Sequence, residues 1–335
     1  MTTTPRYRPS EIENEVDEKG YFHRQKNRFT ASFGEDANQN PIESGRYRLI
    51  WAETCHWSNR AAIVIELLGL EKAISVNKVG INSGFSREKS LGWEFIYDEN
   101  HHDPVLGVQY LSELYYNADP NYQGRPTVPA LVDITTKKVV NNDYTWLTNY
   151  LERDFKAFHK AHAPDLYPEH LRQQIDEFNN FLFDNVNNAV YKAMFAQSID
   201  AYNDAYNSLY CALDLIEQRL ETKRFLFGDF VTDADIRLFV TLARFDAGYA
   251  KNLGPLRNRI VDFKNIWGYA RDLYEIPAFK HNTYFKTFAK KQGDRSGVFI
   301  DYYTRFWDKI DYEALWSEPH QRQTLSQTPD EKFIY

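Results

Sequence analysis

Cys55 is the residue of this chain whose position most favours chemistry. It follows an alternating, aromatic run (46–51) typical of a half-buried strand, and it precedes an apolar run, typical of a helix, that stops at Gly69. The first turn of a helix presents unpaired backbone N–H groups and the positive end of the helix dipole, and both favour a thiolate over a thiol. Arg60 adds a positive charge nearby. The setting therefore predicts a nucleophilic cysteine rather than a buried structural one.

The other cysteine and the residue three positions after Cys55 restrict the thiol chemistry. Cys211 lies in a helix-period apolar run (206–213) and is interpreted as a core residue. Ser58 stands where a CxxC motif would have its second cysteine, so the second thiol of any exchange reaction must come from a small molecule. Two cysteines are too few for a disulfide framework or a structural zinc site. A reactive thiol indicates a reducing, cytoplasmic setting.

The composition predicts a soluble globular protein. A chain of 335 residues can bury a large core and predicts two domains. The N-terminus lacks the apolar core of a signal peptide, and no stretch approaches the ~20 apolar residues of a membrane span, so we expect no membrane partner. A net charge of −7 argues against nucleic acid as the main partner. The aromatic content of 16% is high enough to supply a core and to line a pocket for a flat ligand.

The first half of the chain alternates strand and helix signals. Residues 1–45 are polar with few apolar clusters and predict an irregular arm. Within 46–155 the order of elements is βαβαββα, which predicts an α/β thioredoxin-like domain. The predicted strands are 46–52, 73–78, 130–133 and 138–140, and the predicted helices are 58–69, 106–117 and 143–153.

Long helix patterns in the second half predict an all-α domain. This domain extends over 166–304, after a linker near 156–168. Residues 305–335 form a charged, aromatic C-terminal tail without clear periodicity. Thr232 and Asp235 have the spacing of a capping box before an apolar helix, which outweighs a catalytic role for the acid.

Val128 and Pro129 precede the predicted strand at 130–133. A thioredoxin fold carries a cis-proline at this point, and only an X–Pro bond reaches the cis state cheaply. The cis geometry would leave the backbone N–H and C=O of Val128 free to pair with an extended peptide. A trans proline at the start of a strand is the alternative, but the upstream Cys55 favours the cis form.

Asp143 stands where the second hairpin strand passes into a helix. Such a helix N-terminus binds anions, but Asp143 would repel a carboxylate and accept an α-amino group instead. Plain capping of the helix explains the residue almost as well.

Histidines are the residues that most suggest a metal. The run His101-His102-Asp103 and the pair His159 and His162 each lack a third well-spaced ligand. We therefore expect these residues to form a solvated surface, and we expect no metal site.

Short motifs follow one another along the chain from about residue 20 to 300. The motifs are Phe22-His23-Arg24-Gln25, Cys55-x-Trp57, Gly92-Trp93-x-Phe95, Leu111-Ser112-Glu113-Leu114-Tyr115 with Ala118-Asp119-Pro120, Gly124-Arg125-x-Thr127-Val128-Pro129, Val186-Asn187-Asn188-x-Val190-Tyr191-Lys192, Thr241-Leu242-x-Arg244-Phe245-Asp246 and Trp267-Gly268-Tyr269-x-Arg271-Asp272-Leu273-Tyr274. Together they resemble the motifs of a known family, the Xi-class glutathione transferases or S-glutathionyl-hydroquinone reductases. The resemblance rests on the number and order of the motifs rather than on any single one.

The resemblance implies a glutathione-transferase fold, a homodimer, and glutathione or a related low-molecular-weight thiol as co-substrate. It also implies reductive deglutathionylation of a glutathionyl-hydroquinone, in which the Cys55 thiolate attacks the sulfur of the adduct and a second glutathione resolves the mixed disulfide. The family tetrad is Cys-Pro-Trp-Ala, whereas here His56 and Ser58 replace the proline and the alanine. The family's γ-glutamyl site is Glu-Ser, whereas here it is Asp143 and Tyr144.

The resemblance also implies roles for residues outside the tetrad. The residues implied to contact the thiol co-substrate are Trp93, Arg125, Val128, Asp143 and Tyr144. Those implied to bind the aromatic substrate are Tyr191, Arg244, Tyr249 and Tyr274, with Tyr191 or Tyr274 as the general acid.

Two other functions remain open on the residues alone. A general thioltransferase acting on mixed disulfides would use the same Cys55 chemistry. A non-catalytic transferase-fold protein that binds a ligand or a protein partner is favoured by the altered tetrad and by the Asp143-Tyr144 pair. Replacement of Cys55 would abolish turnover by either enzyme and would change nothing in a binding protein.

Overall fold

The computed structural model describes residues 15–81, 92–290, 298–307 and 309–335, the side chains of 298–300 excepted. The chain forms two compact units. The first is Gln25–Ala163, and the second comprises Pro164–Tyr335 together with segment 15–24. The predicted arm is therefore divided between the two units, and its residues 1–14 lie outside the described part of the chain. None of the described helices is both long enough and apolar enough to span a membrane.

The first unit is built on a four-stranded sheet. Its described strands are β1 (Tyr47–Trp51), β2 (Ile74–Lys78), β3 (Ala130–Asp133) and β4 (Lys138–Asn141), and its described α-helices are α1 (His56–Leu68), α2 (Leu111–Ala118) and α3 (Leu147–Arg153). The strand order is β2-β1-β3-β4, with β1 parallel to β2 and antiparallel to β3. A parallel pair requires a crossover connection, which α1 supplies. The predicted order βαβαββα is thus confirmed.

Two helices of this unit begin later than predicted. The helix expected from 106 begins at Leu111, because the Glu113 carboxylate accepts hydrogen bonds from the N–H groups of Gln109 and Tyr110 at 3.0 and 2.8 Å. These bonds cap the helix at that point. The helix expected from 143 begins at Leu147, after a turn.

The core of the first unit joins the sheet to α2. Its buried members include Ile50, Ala130, Val132 and Val139 from the strands and Leu111, Leu114 and Tyr115 from the helix. Phe29, Cys55 and Trp93 pack against this core while remaining partly buried. Cys55 therefore lies at the edge of the core, where packing fixes its side chain and part of the thiol stays accessible.

The second unit is helical in its described residues. Its α-helices are α4 (Arg172–Leu182), α5 (Ala189–Phe195), α6 (Ile199–Thr222), α7 (Asp233–Phe245), α8 (Lys264–Tyr274), α9 (Pro277–His281), α10 (Phe285–Ala289), α11 (Val298–Trp307) and α12 (Tyr312–Trp316). All 13 residues of α7 are buried, so this helix lies at the centre of the unit. The all-α prediction for this half is confirmed.

The capping box predicted at the start of α7 is confirmed. The N–H and hydroxyl of Thr232 donate to the Asp235 carboxylate at 2.8 and 3.0 Å. The same carboxylate accepts from the Tyr269 hydroxyl at 2.8 Å and the Leu226 N–H at 2.9 Å. Burial nevertheless raises the pKa of Asp235 to about 6. The acid joins the beginning of α7 to α8 and to the preceding loop.

The prediction that Cys211 is a core residue is wrong. The buried residues of α6 include Leu209, Leu213, Ile216 and Leu220, which lie on one face at the helical period. Cys211 is two positions from Leu209, which is roughly 200° around the helix axis, and it is exposed. Its apolar neighbours in the sequence lie on the other side of the helix.

The segment predicted as a C-terminal tail is, in its described residues, an ordered part of the second unit. Arg322 is 5% exposed and donates to the Leu220 carbonyl at 2.7 Å and the Arg224 carbonyl at 3.1 Å. Arg224 in turn makes two bonds to the Asp272 carboxylate, at 2.8 and 3.1 Å. A buried cation at the open carbonyls of a helix C-terminus satisfies acceptors that the helix itself leaves unpaired.

Candidate active site

Cys55 lies at the N-terminus of α1, as the sequence predicts. Its extended backbone (φ −92°, ψ 112°) makes it the N-cap residue. Its N–H donates to the Ala52 carbonyl at 3.0 Å, and its carbonyl accepts from the Asn59 N–H at 3.1 Å. The side chain is partly buried. The positive end of the α1 dipole therefore lies beside the thiol, which is the position expected for a nucleophilic cysteine.

Ser58 holds the turn that carries Cys55. Its side chain is buried, and its hydroxyl accepts from the Ala52 N–H at 3.1 Å and donates to the Cys55 carbonyl at 3.2 Å. These two bonds connect the end of β1 to the first turn of α1. Ser58, which occupies the position of the second cysteine in a CxxC motif, thus stabilises the backbone turn that carries Cys55.

The Val128–Pro129 peptide bond is cis, which confirms the prediction. The Cys55 thiol donates to the Val128 carbonyl, with an Sγ–O distance of 3.5 Å. Within the described residues, the N–H of Val128 has no hydrogen-bond acceptor. The backbone of Val128 therefore lies beside the thiol and keeps a donor for an extended ligand.

Trp93 and Arg125 both lie in loops of the first unit. Trp93 is partly buried against the core, and its carbonyl accepts from the Leu111 N–H at 3.0 Å. Arg125 is half-buried in the loop that leads to Val128. Its backbone N–H and carbonyl are both bonded to the side-chain amide of Gln25, at 2.7 and 3.0 Å. Sequence reasoning missed this contact, and its only sequence signal is the place of Gln25 in a recognised motif.

Arg60 does not serve only as a nearby positive charge. Its guanidinium donates to the Tyr144 carbonyl at 2.5 Å and lies 5.1 Å from the centroid of the Trp57 ring. The rings of Trp57 and Tyr144 are themselves 4.9 Å apart and tilted. Arg60 is 3% exposed, so these contacts replace water as its surroundings. The first turn of α1 and the residue after Asp143 are therefore joined by one cation and two aromatic rings.

Asp143 caps the turn that precedes α3. Its Oδ1 atom accepts from the N–H groups of Thr145 and Trp146 at 2.9 and 3.3 Å and from the Asn27 side-chain amide at 3.0 Å. These bonds support the capping interpretation and explain why the helix begins after the turn. The Oδ2 atom makes no hydrogen bond within the described part of the chain, so the carboxylate keeps an acceptor.

Tyr191 and Tyr249 are in direct contact in the second unit. Their hydroxyl oxygens are 3.3 Å apart and their ring centroids 5.7 Å apart. The Arg24 guanidinium lies 4.5 Å from the centroid of the Tyr191 ring, and its Nε donates to the Asn188 side chain at 2.9 Å. A cation over an aromatic face is attracted by the ring quadrupole, so Arg24 fixes the orientation of Tyr191.

Tyr274 and Arg244 belong to another aromatic cluster of the same unit. Tyr274 is 2% exposed, and its ring centroid lies 5.6 Å from that of Phe285 and 5.8 Å from that of Trp316. Burial raises the pKa of Tyr274 to about 12. The Arg244 guanidinium lies 4.1 Å from the centroid of Phe288, a ring that is 6.0 Å from Phe285.

The interpretation of Asp103 as solvated surface is wrong. Its carboxylate is buried, accepts from Arg48 at 2.8 Å and from Asn77 at 2.6 Å, and caps the turn at Leu106 at 2.7 Å. Burial by itself raises the pKa of Asp103, but these hydrogen bonds and the Arg48 charge outweigh it and hold the pKa below the usual range. An ion pair formed across 55 residues is invisible in the local pattern.

One group of side chains in the described residues has the ligand types of a metal site. Asp272, Glu275 and His320 bring one ligand atom each to within 4.8 Å of the others. The Lys332 ammonium, however, lies 2.8 Å from Asp272 and 3.0 Å from Glu275. A cation already bridges the two carboxylates, so the group is a salt-bridge network rather than a metal centre.

Comparison with known proteins places this geometry in a family. The family described as "Glutathione S-transferase, C-terminal domain" matches residues 199–272. The glutathionyl-hydroquinone reductase YqjG of Escherichia coli is 37% identical over 246 residues, which cover 72% of this chain and 73% of that protein.

Solved structures agree with the sequence match. The crystal structure of the glutathione-S-transferase Xi from Phanerochaete chrysosporium has a TM-score of 0.75 at 35% identity, covering 82% of this chain and 88% of that one. The glutathione-bound structure of YqjG has a TM-score of 0.72 at 32% identity, covering 88% and 96%. The chain therefore belongs to the glutathione transferases, within the Xi class that includes the glutathionyl-hydroquinone reductases.

Proposed function

We propose that this protein is a thiol-dependent enzyme that removes glutathione from glutathionyl-hydroquinones. The observation that carries the proposal is the position of Cys55, whose thiol lies at the N-terminus of α1 and 3.5 Å from the Val128 carbonyl. Relatives named glutathionyl-hydroquinone reductase, at 37 and 38% identity, support the same activity.

The reaction proceeds in two exchange steps. The Cys55 thiolate attacks the glutathionyl sulfur, an S–S bond forms, and the bond between that sulfur and the ring carbon breaks. The ring carbon takes a proton, which releases the hydroquinone and leaves glutathione on Cys55 as a mixed disulfide. A second glutathione thiolate attacks this disulfide, so that oxidised glutathione leaves and the Cys55 thiolate returns. The substrate gains two electrons, and the two glutathione sulfurs lose them.

The first unit supplies the groups for the thiol co-substrate. The N–H of Val128, which has no acceptor among the described residues, is a donor for the peptide backbone of glutathione, and the Oδ2 atom of Asp143 is an acceptor for its α-amino group. Trp93 and Arg125 are further contacts by family resemblance. Tyr144, which packs against Trp57, narrows the γ-glutamyl end of the site relative to a serine.

By family resemblance, the candidates for binding the aromatic part of the substrate are Tyr191, Tyr249, Tyr274 and Arg244. Ring faces and hydroxyls suit a hydroquinone, because stacking orders its plane and hydroxyls bond its oxygens. By family resemblance, Tyr191 or Tyr274 donates the proton to the ring carbon. Burial raises the pKa of Tyr274 to about 12, which leaves it protonated at neutral pH but makes it a weaker acid than an ordinary tyrosine.

The test is turnover of a glutathionyl-hydroquinone with glutathione, followed as hydroquinone and oxidised glutathione released in equal amounts. Cys55→Ser should abolish it, whereas Cys211→Ser, which alters an exposed cysteine, should leave it unchanged. Mass spectrometry of the wild type with substrate alone should show one glutathione on Cys55. Turnover of small mixed disulfides without turnover of the aromatic thioether would instead identify a general thioltransferase.

We further infer from the family that the enzyme is a cytoplasmic homodimer. Light scattering of the purified protein measures its oligomeric state, and fractionation of cells that express it measures its location.

A further inference from the structure

Gln25 forms a two-bond bridge to the backbone of Arg125. Its side-chain oxygen accepts from the Arg125 N–H at 2.7 Å, and its side-chain nitrogen donates to the Arg125 carbonyl at 3.0 Å. This is the donor–acceptor pair that a neighbouring β-strand would offer. A side chain 100 positions away in the sequence therefore replaces a strand as the partner of this loop.

Two buried tyrosines also form hydrogen bonds with the backbone of this loop. The Tyr122 hydroxyl donates to the Arg125 carbonyl at 2.9 Å and accepts from the Gln25 amide at 3.2 Å. The Tyr115 hydroxyl donates to the Thr127 carbonyl at 2.6 Å. Tyr115 and Tyr122 pack on each other with centroids 5.1 Å apart. The loop backbone is thus fixed by side chains at alternate residues.

Regular secondary structure does not hold this loop. Residues 126–128 lie outside every described helix and strand, and within the described residues they make no backbone–backbone hydrogen bond. The two residues after Thr127 are the cis pair whose first carbonyl faces the Cys55 thiol at 3.5 Å. Any displacement of the loop therefore moves the N–H of Val128 relative to the nucleophile.

We propose that Gln25 is a positioning residue of the thiol site. It sets the affinity for the thiol co-substrate by holding the loop 125–128 at a fixed position relative to Cys55. This inference rests on the proposed function, because it takes glutathione as the ligand of Val128. The side chain of Gln25 bonds to the backbone of Arg125 and to the Tyr122 hydroxyl, so its loss acts through the loop that carries Val128. The consequence is a change in binding without a change in the nucleophile.

Gln25→Leu removes both bonds of the bridge at similar side-chain volume. Gln25→Glu keeps an acceptor for the Arg125 N–H but places a carboxylate oxygen against the Arg125 carbonyl, so it retains half of the bridge. Gln39→Leu is the matched control. The Gln39 amide lies in the same unit, donates to the Ser32 hydroxyl at 3.0 Å and accepts from the Asp36 N–H at 3.2 Å, away from the loop.

The measurements are the KM for glutathione, kcat at saturating glutathione, and the rate of Cys55 alkylation with and without glutathione. For Gln25→Leu we expect the KM for glutathione to rise about ten-fold, because the net free energy of two lost hydrogen bonds corresponds to roughly that change in affinity. The kcat and the rate of Cys55 alkylation without glutathione should stay within about two-fold of wild type. Gln25→Glu should give an intermediate KM, and Gln39→Leu the wild-type value. Protection of Cys55 from alkylation should require correspondingly more glutathione in the Gln25 variants.

An unchanged KM and unchanged protection in Gln25→Leu would overturn the inference. So would a parallel loss of kcat and of alkylation rate, because that pattern means general damage to the unit. If Gln25→Leu does not fold, Gln25→Glu decides by the same criteria. If wild-type protein fails to turn over glutathionyl-hydroquinones, the proposed function fails, and protection of Cys55 by glutathione still decides the role of Gln25.

Discussion

The Cys55 thiol and the Val128 carbonyl, 73 residues apart in the chain, meet at 3.5 Å. One lies at the junction of β1 and α1, and the other belongs to the cis peptide bond that precedes β3. β1 and β3 are antiparallel neighbours in the sheet, with Ile50 opposite Ala130. The register of these two strands therefore brings Cys55 next to the Val128 backbone, which we propose binds the thiol co-substrate.

Cys55 should react with iodoacetamide faster than Cys211. Cys55 lies at the N-terminus of α1, where backbone N–H groups and the helix dipole activate a nucleophile, whereas Cys211 lies in the middle of α6 and is exposed to water. We expect a ratio of about ten in rate, measured by peptide mass spectrometry. Equal rates, or faster labelling of Cys211, would show that α1 does not activate the thiol.

Ser58→Ala should destabilise the turn that carries Cys55. The variant loses the hydrogen bonds to the Ala52 N–H and the Cys55 carbonyl, at a cost of about 1–2 kcal/mol in the free energy of unfolding. Turnover should fall as well, because the thiol is no longer held against Val128.

Ser112→Ala is the control for this variant. Its hydroxyl is also buried but has no hydrogen-bond partner within the described residues, so its removal should be close to neutral in urea unfolding. If both variants lose the same stability and the same activity, the Ser58 bonds have no specific role.

The Asp143-Tyr144 pair should weaken glutathione binding relative to a Glu-Ser pair. A shorter carboxylate and a large ring shift the γ-glutamyl end of the ligand, and a lost charged hydrogen bond is equivalent to about ten-fold in affinity or more. Asp143→Glu combined with Tyr144→Ser should therefore lower the dissociation constant in calorimetry. The Arg60 contact survives this change because it is made to a backbone carbonyl. An unchanged constant would mean that the site has adapted to its own pair.

Tyr191→Phe and Tyr274→Phe should impair turnover of the aromatic thioether and spare that of a small aliphatic mixed disulfide. The hydroxyls are proposed to bond the hydroquinone oxygens or to protonate its ring carbon, functions that an aliphatic substrate does not need. We expect losses of about 10²-fold for the general acid and smaller ones for the other tyrosine, measured as kcat/KM.

Tyr167→Phe is the control for the tyrosine series, since its hydroxyl donates to Asp176 at 2.7 Å. Equal losses on both substrates would favour the general thioltransferase, and losses in the control would indicate damage to the helical unit.

The buried carboxyl group of Asp246 should lower the free energy of unfolding of the protein as the pH rises from 4 to 6. Burial raises the pKa of its carboxyl from 3.8 to about 6, although it accepts N–H bonds from Ile260 and Val261 at 2.8 and 3.3 Å. In this window the folded protein binds the proton and the unfolded chain releases it, so the free energy of unfolding falls by at most about 1.4 kcal/mol per pH unit.

Asp246→Asn removes this titration. The free energy of unfolding, measured in urea at pH 4, 5 and 6, should therefore fall more steeply with rising pH in the wild type than in the variant. Parallel pH dependences would show that the pKa of Asp246 is the same in the folded and unfolded states.

The sequence by itself determined the features that neighbouring residues control. The passage from β1 through Cys55 into α1 and the stop of that helix at Gly69 depend on residues within one or two turns of one another, although α1 begins at His56, two residues before the predicted start. The same holds for the capping box of Thr232 and Asp235 and for the order of strands and helices. Periodicity and capping act over that range, so a single chain displays them without its fold.

Only the tertiary structure decided which side chains are buried and what they meet. Cys211 has apolar neighbours in sequence, yet the packing of α6 leaves it exposed. Asp103 looks solvated beside two histidines, yet Arg48 pairs with it inside the first unit. Gln25 carries no local sign of its contact with Arg125. The free energy of such contacts depends on segments that the sheet and helices bring together from distant positions, and no local pattern records which segments those are.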